Sequence, residues 1–585
     1  MASTQIKRLP YGVADFAKVQ RDQRYYYVDK THFIPFIEEA GDYLFLVRPR
    51  RFGKSLWLSI LQYYYDLNKR DEFETLFGGT YIGGHPTDER NSYLILMFNF
   101  AMVNPTVSEV SDSFENNGKA IVSDFLLRYQ QFFDEQERQD IRSEEKTEYQ
   151  LRSLFFHAAR KQLRIYLLID EYDNFANTIL TTAGEQAYRD LTHGGGFFRY
   201  FFNLLKGATS GQSVGIARLF ITGVSPITMD DVTSGFNIGE NISLHAKYQE
   251  LLGFTEDEVI AMIRYYEELG LVQQGSETCL DLMKVWYNGY RFSKQSDTEV
   301  FNPDMVLYFL KQVTQQQIFP DDMIDHNIRI DYGKLRHLLL VNRQLNGNFR
   351  LLEEVIETGE LNVSIQLSFP VERLLHRENF ASLLFYFGLL SIKAVRRHEV
   401  LLHIPNQTVK RLMYGYLRDA FEDVDLFRID LWHFSNLLRS MAYEGAWQPV
   451  MDFLAEQIAH QTAIRDYLGG EKVIQGFLLA YLSVTQHYLT WSERELGKGF
   501  ADIYLEPSLT RFPDMPFGYL IELKYLPRSE FSDDALQKTI AAAAEQLQRY
   551  AGDTRLREMA QRVTLKRLIL VYNGWELVYR EECPD

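Results

Sequence analysis

Two carboxylates and a lysine near the end of the sequence have the types and spacing that cleavage of a phosphodiester requires. Asp502 lies in F-A-D-I-Y-L-E-P, and Glu522 and Lys524 lie in Y-L-I-E-L-K-Y, two strand-like runs separated by a proline-rich turn. Carboxylate oxygens are the ligands that Mg²⁺ and Mn²⁺ prefer. A bound divalent ion lowers the pKa of water and stabilises a leaving oxygen. The pattern therefore predicts that Asp502 and Glu522 bind a divalent metal and that Lys524 orients the attacking water.

Strand and helix periodicity indicate which residues share the face of this site. Glu522 and Lys524 are two positions apart, so a strand directs both to one side. Gln546 and Tyr550 are four apart on the predicted helix that follows, and this spacing also places them on one face. We expect these two to brace the site or to contact a nucleic-acid backbone. Glu471, at the start of the preceding helix, is a further candidate acid for the metal.

The alternative is a surface hairpin in which Asp502 and Glu522 are ordinary exposed acids and Lys524 is their ion-pair partner. E-x-K is common in strands, so that pair alone is weak support for a metal site. The combination of G-x-x-D, E-L-K and Q-x-x-x-Y, in the order strand, strand, helix, is much rarer by chance. The combination therefore favours the metal site over the hairpin.

A second chemistry is indicated near the N-terminus by R-P-R-R-F-G-K-S, residues 48–55. This stretch follows an apolar strand and opens a helix, which is the context that a phosphate-binding loop requires. Backbone N–H groups at the helix start would hold phosphate oxygens. Lys54 would reach the β- and γ-phosphates, and Ser55 would hold Mg²⁺. The pattern predicts ATP or GTP binding.

The loop departs from the usual pattern at its first position, where Arg48 stands in place of glycine. A Cβ at that position restricts the turn. The positive charges of Arg48, Arg50 and Arg51 could compensate. The alternative is a helix start that contains G-K-S by chance.

An acidic strand end supports the nucleotide hypothesis. I-Y-L-L-I-D-E-Y-D, residues 165–173, reads as a buried strand ending in Asp170, which would orient Mg²⁺, and Glu171, which would polarise the attacking water. The alternative is a solvated acidic turn. Hydrolysis is less well supported than binding, because Arg199 is only a weak candidate for an arginine finger. The predicted ligands of the nucleotide and its metal are Arg50, Arg51, Phe52, Gly53, Lys54, Ser55 and Asp170.

A third strand, R-L-F-I-T-G-V-S-P, ends at Thr222 and Ser225. A polar group at this position could sense the γ-phosphate. A simple turn at the end of a strand explains the same residues equally well, and the sequence leaves the two alternatives open.

Composition sets the class of protein. With 585 residues the chain exceeds a single core, and 46% hydrophobic residues is ordinary for a globular protein. No apolar run is long enough to span a bilayer, and the N-terminus lacks the apolar stretch of a signal peptide. The two cysteines lack CxxC spacing, which favours a reducing cytoplasm. The net charge of −17 argues against a nucleic-acid coat protein, although a local basic groove can override net charge.

Periodicity divides the chain into three parts. Residues 1–250 alternate short apolar strands with helices, which predicts an α/β domain with a mostly parallel sheet. Residues 251–460 predict a helical linker or lid region, whose first helix begins with a capping box of Thr255 and Glu258. Residues 461–585 predict a second α/β unit. The predicted strands are Tyr43–Val47, Tyr93–Phe100, Ile165–Ile169 and Leu219–Thr222 in the first part, and Phe500–Leu505, Tyr519–Tyr525 and Leu565–Tyr572 in the last.

These motifs carry two resemblances. Residues 7 to about 300 resemble the bacterial AAA-ATPase-like family through K-R-L-P-Y-G (7–12), Y-Y-V-D-K (26–30), the phosphate loop in that family's own form, L-L-G-F-T-E-D-E-V, W-Y-N-G-Y-R-F and F-N-P. The C-terminal part is similar to the PD-(D/E)XK nuclease superfamily, whose core is a sheet flanked by helices. The resemblance implies a P-loop NTPase domain, a helical middle region and a restriction-endonuclease-like domain. It also implies a role in defence or in mobile elements.

The whole sequence predicts that ATP binding or hydrolysis in the first part regulates Mg²⁺-dependent cleavage of DNA in the last, with Mn²⁺ as an alternative metal. One rival is a signalling ATPase switch that binds nucleic acid or a protein partner without cutting. Another is a scaffold that binds nucleotide only to form homo-oligomers. DNA and RNA stay open as substrates at this point, as does the oligomeric state.

Overall fold

The computed structural model describes residues 6–21, 23–209, 215–227, 239–328, 340–341, 344–345, 347–396, 399–423, 429–460, 470–496 and 499–583. The chain folds into two compact units. Unit 1 comprises Met1–Pro320, Asp325–Lys334 and Val363–Leu402. Unit 2 comprises Asp321–Ile324, Leu335–Asn362 and His403–Asp585.

The helices are, in chain order, α1 Phe16–Gln20, α2 Ile34–Ala40, α3 Lys54–Tyr65, α4 Phe73–Phe77, α5 Tyr81–Gly84, α6 Val110–Arg128, α7 Glu135–Ser143, α8 Thr147–Arg160, α9 Asn174–Thr192, α10 Phe197–Ala208, α11 Glu256–Glu268, α12 Ser276–Tyr287, α13 Pro303–Gln316, α14 Gly347–Thr358, α15 Arg377–Tyr386, α16 Gln407–Asp423, α17 Leu431–Glu444, α18 Gln448–His460, α19 Glu471–Leu482, α20 Asp533–Tyr550 and α21 Thr554–Ala560.

The strands are β1 Tyr43–Val47, β2 Leu94–Asn99, β3 Ile165–Asp170, β4 Ile216–Gly223, β5 Glu240–Asn241, β6 Leu340–Val341, β7 Gln344–Leu345, β8 Glu360–Val363, β9 Ser391–Arg396, β10 Glu399–His403, β11 Tyr488–Leu496, β12 Gly499–Pro507, β13 Phe517–Leu526, β14 Thr564–Asn573 and β15 Glu576–Cys583.

Unit 1 is built on a five-stranded parallel sheet in the order β2-β3-β4-β1-β5. The four predicted strands are present with ends within a few residues of the prediction, and β5 is an addition at the edge. Strand β3 is buried along its whole length, as a parallel sheet covered on both faces requires. Because β4 lies between β1 and β3, the residues at its carboxyl end face the ends of both neighbours.

Aromatic residues dominate the packing beside this sheet. Phe175 lies 4.7 Å from Phe198 and 5.8 Å from Phe100 between ring centroids, and Phe98 lies 5.4 Å from Phe201. Most of these pairs are edge-on, the geometry that aromatic rings favour in a core. The phenylalanine run at the start of α10 therefore packs the interior of unit 1.

The segment from 251 to 460 is mostly helical, as predicted, and also contains the short strands β6 to β10. The predicted capping box starts α11: Thr255 accepts from Glu258 N at 3.4 Å, and Glu258 accepts from Thr255 N at 2.8 Å. Both units draw residues from this segment. The boundary at 250 stays a prediction, and residue 461 lies outside the described residues.

Unit 2 is built on a five-stranded sheet in the order β11-β12-β13-β14-β15. Neighbouring strands are antiparallel except β13 and β14, which are parallel and joined by the crossover helix α20. Ala543, Leu547 and Tyr550 form the buried face of α20 against the sheet. Strands β11 and β15 and helix α21 were not predicted from the sequence.

Two findings concern the class of protein. Across the residues that the structure describes, no helix has the length and apolar character needed to cross a membrane. Cys279 and Cys583 are both free thiols, as their spacing in the sequence indicates.

Candidate nucleotide and metal sites

The antiparallel pairing of β12 with β13 brings the predicted acids of unit 2 together. Ile503 pairs with Ile521, so the same register places Asp502 across from Glu522. Lys524 Nζ lies 2.6 Å from Glu522 Oε1 and 3.6 Å from Asp502 Oδ2. The three side chains therefore share one small site, with the ammonium group held by both carboxylates.

This site is buried and its geometry is fixed by the main chain. Glu522 is 1% exposed and Asp502 is 9% exposed. The main-chain N–H of Leu523 donates to Asp502 Oδ2 at 2.7 Å, and Gln475 Nε2 on α19 donates to the carbonyl of Asp502 at 2.8 Å. Buried, paired carboxylates contradict the alternative of an ordinary surface hairpin.

Burial and mutual repulsion perturb the titration of the acids. Burial, followed by the charge of Asp502, raises the pKa of Glu522 to about 7, although Lys524 opposes the rise. Burial also raises the pKa of Asp502. Burial by itself lowers the pKa of Lys524, but the two acids outweigh it and raise that pKa above its ordinary value. A pair of crowded carboxylates is an arrangement that added positive charge relieves.

The donor set fits a divalent cation. Glu522 Oε2 is buried and has no hydrogen-bond partner among the described residues, so one carboxylate oxygen is available in the site. Within the described ranges no group of three or more His, Cys, Asp or Glu residues has the arrangement of a complete metal site. Two carboxylates suit Mg²⁺, which usually retains several waters and takes substrate oxygens as further ligands.

Glu471 lies beside the two acids, at the start of α19. Its Oε2 accepts from the main-chain N–H of Tyr525 at 3.2 Å, and its charge contributes to the raised pKa of Glu522. The structure therefore places this residue next to the site. One of its oxygens is occupied by the backbone of β13, which positions the start of α19 over the end of that strand.

Tyr550 braces β12 from α20. Its ring is buried, and its hydroxyl donates to the carbonyl of Phe500 at 2.6 Å. A Cβ at Gly499 would lie 2.6 Å from the Tyr550 ring, so the glycine of G-x-x-D makes room for this tyrosine. Gln546 lies one turn earlier on α20 and is half-buried. The spacing of the two residues on α20 thus serves, for Tyr550, to fix the strand that carries Asp502.

The phosphate loop of unit 1 connects β1 to α3. Gly53 adopts a left-handed φ of +92° as the N-cap of α3, a conformation that favours glycine. Lys54 is 6% exposed, and its Nζ donates to the carbonyls of Arg48 (3.0 Å) and Pro49 (2.8 Å). Burial lowers the pKa of Lys54 to about 8. The ammonium group is thus held inside the loop by carbonyls that a phosphate can replace.

The predicted Mg²⁺ residues meet at the carboxyl ends of the strands. Ser55 Oγ donates to Asp170 Oδ2 at 2.6 Å, and Thr222 Oγ1 donates to Asp170 Oδ1 at 2.7 Å. The hydroxyl beside the loop, the acid of β3 and the polar residue ending β4 therefore form one hydrogen-bonded row. Thr222 thereby has a place in the site, whereas Ser225 forms the turn beyond it, where its Oγ accepts from Ile227 N.

Glu171 follows the row in an uncommon backbone conformation, with φ +51°. A left-handed non-glycine residue costs energy and is typical of functional turns. Burial raises the pKa of its carboxyl, and Asn174 Nδ2 donates to its Oε2 at 2.8 Å. The guanidinium group of Arg50 donates to Oδ1 of the same asparagine at 3.4 Å. Arg199 lies on α10 and is not among the residues that line the cleft around Glu171.

The expectation that Arg48 supplies charge to the phosphates is wrong. Its guanidinium group points behind the loop, where it donates to the carbonyls of Ser243 (2.5 Å) and Tyr248 (3.1 Å) and stacks 4.4 Å from the Phe292 ring. Burial lowers its pKa to about 9. The arginine at the usual glycine position therefore has a structural role, because its hydrogen bonds connect the loop to the main chain at Ser243 and Tyr248.

The other loop residues divide between packing and exposure. Phe52 is buried, with its ring 4.9 Å from Tyr290 and 5.5 Å from Phe292, so mainly its main chain is left for a phosphate. Arg51 is exposed with a φ of +67°. Arg50 and Arg51 both line the cleft beside the loop, which keeps them as candidates for binding phosphate.

Sequence reasoning missed the residue that joins β3 to β4. Asp173 is 1% exposed and accepts from the main-chain N–H groups of Val224 (3.1 Å) and Ser225 (2.5 Å). Tyr172 O–H donates to the carbonyl of Ser225 at 2.6 Å. The signal was present in the repeated acid of D-E-Y-D, but its partners lie about fifty residues later. Both residues clamp the end of β4, and with it Thr222, against the end of β3.

A cleft of about 560 Å³ adjoins the phosphate loop within unit 1. Its walls combine the loop with the segments 26–28 and 251–254 and with Trp57 of α3. Trp57 is 1% exposed, and its Nε1 is a buried donor without an acceptor among the described residues. Lys30, also in the lining, forms a 2.6 Å ion pair with Glu258. A mostly apolar pocket beside a phosphate loop has the chemistry to hold a nucleobase.

Fold and sites together define the class of this protein. One unit carries a parallel sheet with a phosphate loop and a Ser–Asp–Thr row, as in P-loop nucleotide-binding domains. The other carries a mixed sheet with two carboxylates and a lysine on adjacent strands. Residues 10–233 match the family model described as predicted AAA-ATPase, and residues 469–582 match that of the PD-(D/E)XK nuclease superfamily. The chain therefore joins an AAA-ATPase-like domain to a PD-(D/E)XK nuclease superfamily domain.

Among curated proteins, an uncharacterized protein from the vnfD 5′ region of Azotobacter chroococcum mcd 1 is 30% identical over 309 residues. The match covers 52% of this chain and 52% of the relative, so the chain spans about half the length of the curated relative that it matches.

Similar solved structures include a Walker-type ATPase of Pyrococcus abyssi, with 10% identity and a TM-score of 0.39 over 67% of this chain and 97% of that one. Cdc6p of Pyrobaculum aerophilum has 14% identity and a TM-score of 0.25 over 72% and 97%. The ORC2 protein of Aeropyrum pernix has 10% identity and a TM-score of 0.33 over 67% and 92%.

Proposed function

We propose that this protein is a divalent-metal-dependent nuclease of the cytoplasm, acting on DNA, whose cutting is governed by ATP. The observation that carries the proposal is the convergence of Asp502, Glu522 and Lys524 in a buried site with one available carboxylate oxygen. The AAA-ATPase-like domain on the same chain supplies the reason to expect control by a nucleotide.

In unit 2 each residue has a distinct task. Asp502 and Glu522 hold the metal, which when bound supplies positive charge to the phosphate and lowers the pKa of water. Lys524 lies 2.6 Å from Glu522 and would be free to turn toward the scissile phosphate once the acids were neutralised by a bound cation. Its ammonium group then orients the attacking water and offsets charge on the phosphorus. Glu471 and Tyr550 keep β13 and β12 in place.

In unit 1 the loop binds the phosphates of ATP and the adjoining cleft binds its base. Lys54 exchanges the carbonyls of Arg48 and Pro49 for phosphate oxygens. Ser55 and Asp170, now 2.6 Å apart, hold the Mg²⁺ that accompanies ATP. Glu171 polarises the water that attacks the γ-phosphate. Thr222, near the end of β4, senses that phosphate. Main-chain N–H groups of the loop complete the cradle.

Cleavage assays on linear, circular and single-stranded DNA and on RNA, each with Mg²⁺ or Mn²⁺ and with or without ATP, test the nuclease. We expect Lys524→Ala to lower the cleavage rate by about 10²-fold or more, since it removes charge stabilisation of the transition state. Lys284→Ala is the matched control, because Lys284 also pairs with one acid, Glu256, at 2.6 Å in unit 1. Undiminished cutting by Lys524→Ala would refute the assignment of the site.

One observation favours a second function, a switch that binds nucleic acid or a protein partner without cutting it. In the described residues Lys524 forms ion pairs with two carboxylates, and the lysine already neutralises them. Under this alternative the protein has no cleavage activity with either metal on any of the four substrates, while ATP binding persists. The same panel of assays therefore separates the two functions.

A further inference from the structure

A second cavity, of about 500 Å³, lies in unit 2 beside the starts of β13 and β14. Three arginines line it, and we call it the arginine pocket after Arg557, Arg562 and Arg567. Its other polar lining residues are Gln561 and Thr564, and among the described residues its lining contains no aspartate or glutamate. The chain has a net charge of −17, whereas the charged residues that line this cavity are all positive.

The arginines are held by a rigid part of the unit. Arg557 lies on α21, whose Leu556 is buried against the core and whose first turn is capped by Asp553. Arg562 follows in the turn that closes α21, where its N–H donates to the Met559 carbonyl at 2.9 Å. The positions of their backbones are therefore fixed before any ligand arrives.

The side chains of Arg557 and Arg562 are available to a ligand. Arg557 and Arg562 are exposed, and neither forms an ion pair with an acid in the described part of the chain. Arg557 Nε donates weakly to the Ala551 carbonyl at 3.4 Å, which directs the group without neutralising it. Positive groups around one cavity repel one another, so an anion between them would be stabilised by each.

The shape and lining of the pocket favour phosphate as that anion. The guanidinium fork matches the oxygens of a phosphate in pairs. Apolar residues form the back of the pocket, Leu520, Leu556 and Val563 among them, and low polarity behind an ion pair strengthens it. Phosphates that recur along a backbone could engage the arginines together.

The pocket is close to Lys524, which contacts both acids of the same sheet. Arg567 pairs with Leu520 on β13, and Val571, four residues further along β14, pairs with Lys524. Four strand residues span roughly 13 Å at ~3.3 Å each. This is about the axial rise of four base pairs at ~3.4 Å each. One nucleic-acid molecule can therefore contact both places.

We infer that the arginine pocket binds the phosphate backbone of the nucleic acid and positions it for Asp502 and Glu522, which lie further along the same sheet. This inference rests on the proposed function, because it assigns the substrate contact of the same unit. It assigns a role to Arg557 and Arg562 that neither the phosphate loop nor the metal site explains. It also accounts for nucleic-acid binding by a strongly acidic chain.

Fluorescence anisotropy of the full-length protein in EDTA, which prevents cutting, tests the inference. The probes are labelled 30-mers of duplex DNA, single-stranded DNA and RNA, each titrated at several KCl concentrations. We expect R557A/R562A to weaken duplex binding at least tenfold. Since each phosphate contact contributes about 0.9 to the slope of log K against log salt, the slope should fall by about 2. R128A/R264A removes the same charge from a half-buried position on α6 and an exposed one on α11, and it should leave the slope unchanged.

The variant R557K/R562K controls for a folding defect. Because it retains both charges, it should keep the salt slope while losing part of the affinity. Equal affinity and slope in wild type and R557A/R562A would overturn the inference, as would a wild type that binds none of the probes. Displacement of the duplex by polyglutamate at equal charge would also overturn it, by identifying an acidic protein as the ligand. Reduced binding in R557A/R562A supports the inference even if the wild type never cleaves, so its failure and that of the nuclease proposal are distinguishable.

Discussion

Glu522 shows how a side chain can be unfavourable for the fold and useful for chemistry. It is 1% exposed, lies across from Asp502, and has one carboxylate oxygen without a hydrogen-bond partner among the described residues. Burying an acid that is only partly satisfied costs free energy. Lys524 offsets part of this cost through its 2.6 Å contact. The remainder is a penalty that a bound cation would remove.

We predict that Glu522→Gln stabilises the metal-free protein and abolishes cleavage. In the folded state the pKa of Glu522 is raised from 4.5 to about 7. Above pH 7 the ionised carboxylate therefore destabilises the folded state, whereas in the unfolded state the same charge is solvated. The gain in free energy of unfolding should be about 1–3 kcal/mol at pH 8. It should shrink as pH falls through 7 and vanish below about 4.5. Urea melts in EDTA at pH 4.5, 6 and 8 measure it.

Glu506→Gln is the control, since that acid lies at the end of β12 outside the site and accepts from Trp491 Nε1. It should not stabilise the protein at pH 8. A Glu522→Gln protein that is less stable than wild type at pH 8 would contradict the view that the ionised acid is costly. It would mean that the contact with Lys524 outweighs burial.

Strand ends carry the nucleotide site, and their alignment depends on side chains outside it. Asp170 contacts Ser55 and Thr222, while Asp173 ties the turn after β4 through two main-chain N–H groups. A shift of β4 by even a small distance would break the row from Ser55 to Thr222. Under the proposed function Asp173 acts on the nucleotide through the strand, as a positioning residue.

We predict that Asp173→Asn lowers stability by about 1–3 kcal/mol, because one of its N–H partners loses a charged acceptor. ATP affinity should fall several-fold in the protein that remains folded, and affinity for tripolyphosphate, which has no base, should fall by the same factor. Calorimetry at a temperature well below the melting transition measures both. Asp190→Asn, at an exposed position on α9, is the control and should change neither quantity. Loss of stability with unchanged affinity would leave Asp173 a purely structural residue.

Sequence alone predicted the elements that follow local rules. The apolar runs of β1 and β3, the glycine before α3 and the Thr255–Glu258 capping box are each decided by neighbours in the chain. Period-2 alternation also placed Glu522 and Lys524 on one side of their strand, where they are in contact. These parts of the fold and of the site were predictable because the determining interactions are short in sequence.

The parts that sequence could not predict depend on distant partners. Arg48 looked like a phosphate ligand, but its guanidinium binds carbonyls about 200 residues later, at Ser243 and Tyr248. Asp173 bonds the backbone about 50 residues away, where no side chain marks the contact. Strand β15 was not predicted because its run of charged residues lacks an apolar pattern. Its formation depends on its pairing with β14.

The whole chain combines two candidate sites that differ in the groups that contact their lysine. In unit 1 the ammonium group of Lys54 is held by neutral carbonyls and is ready for a phosphate. In unit 2 that of Lys524 is held by two acids, whose charge a bound metal would neutralise in its place under the proposed function. Each site therefore has a resting arrangement that its own ligand would exchange. Coupling between them would let ATP set the rate of cutting.

We predict that ATP changes the cleavage rate of the wild type by at least about fivefold, the usual lower bound of coupling between two sites. Lys54→Ala should lose ATP affinity and, with it, the response of cleavage to ATP, while keeping the rate measured without ATP. Calorimetry and a cleavage time course on the same preparation measure the two effects. Glu171→Gln should bind ATP and respond to it without turning it over, because only the residue that polarises water is altered.

Lys69→Ala is the matched control, since Lys69 is a lysine of unit 1 paired with the half-buried Glu72. It should bind ATP and respond as the wild type does. If Lys54→Ala binds ATP with unchanged affinity, the phosphate loop is wrongly assigned. If it loses ATP but its cleavage still responds to added ATP, then the nucleotide acts at another place, such as by binding the metal in solution. Titration with free Mg²⁺ held constant separates that effect from control through unit 1, because only the latter requires Lys54.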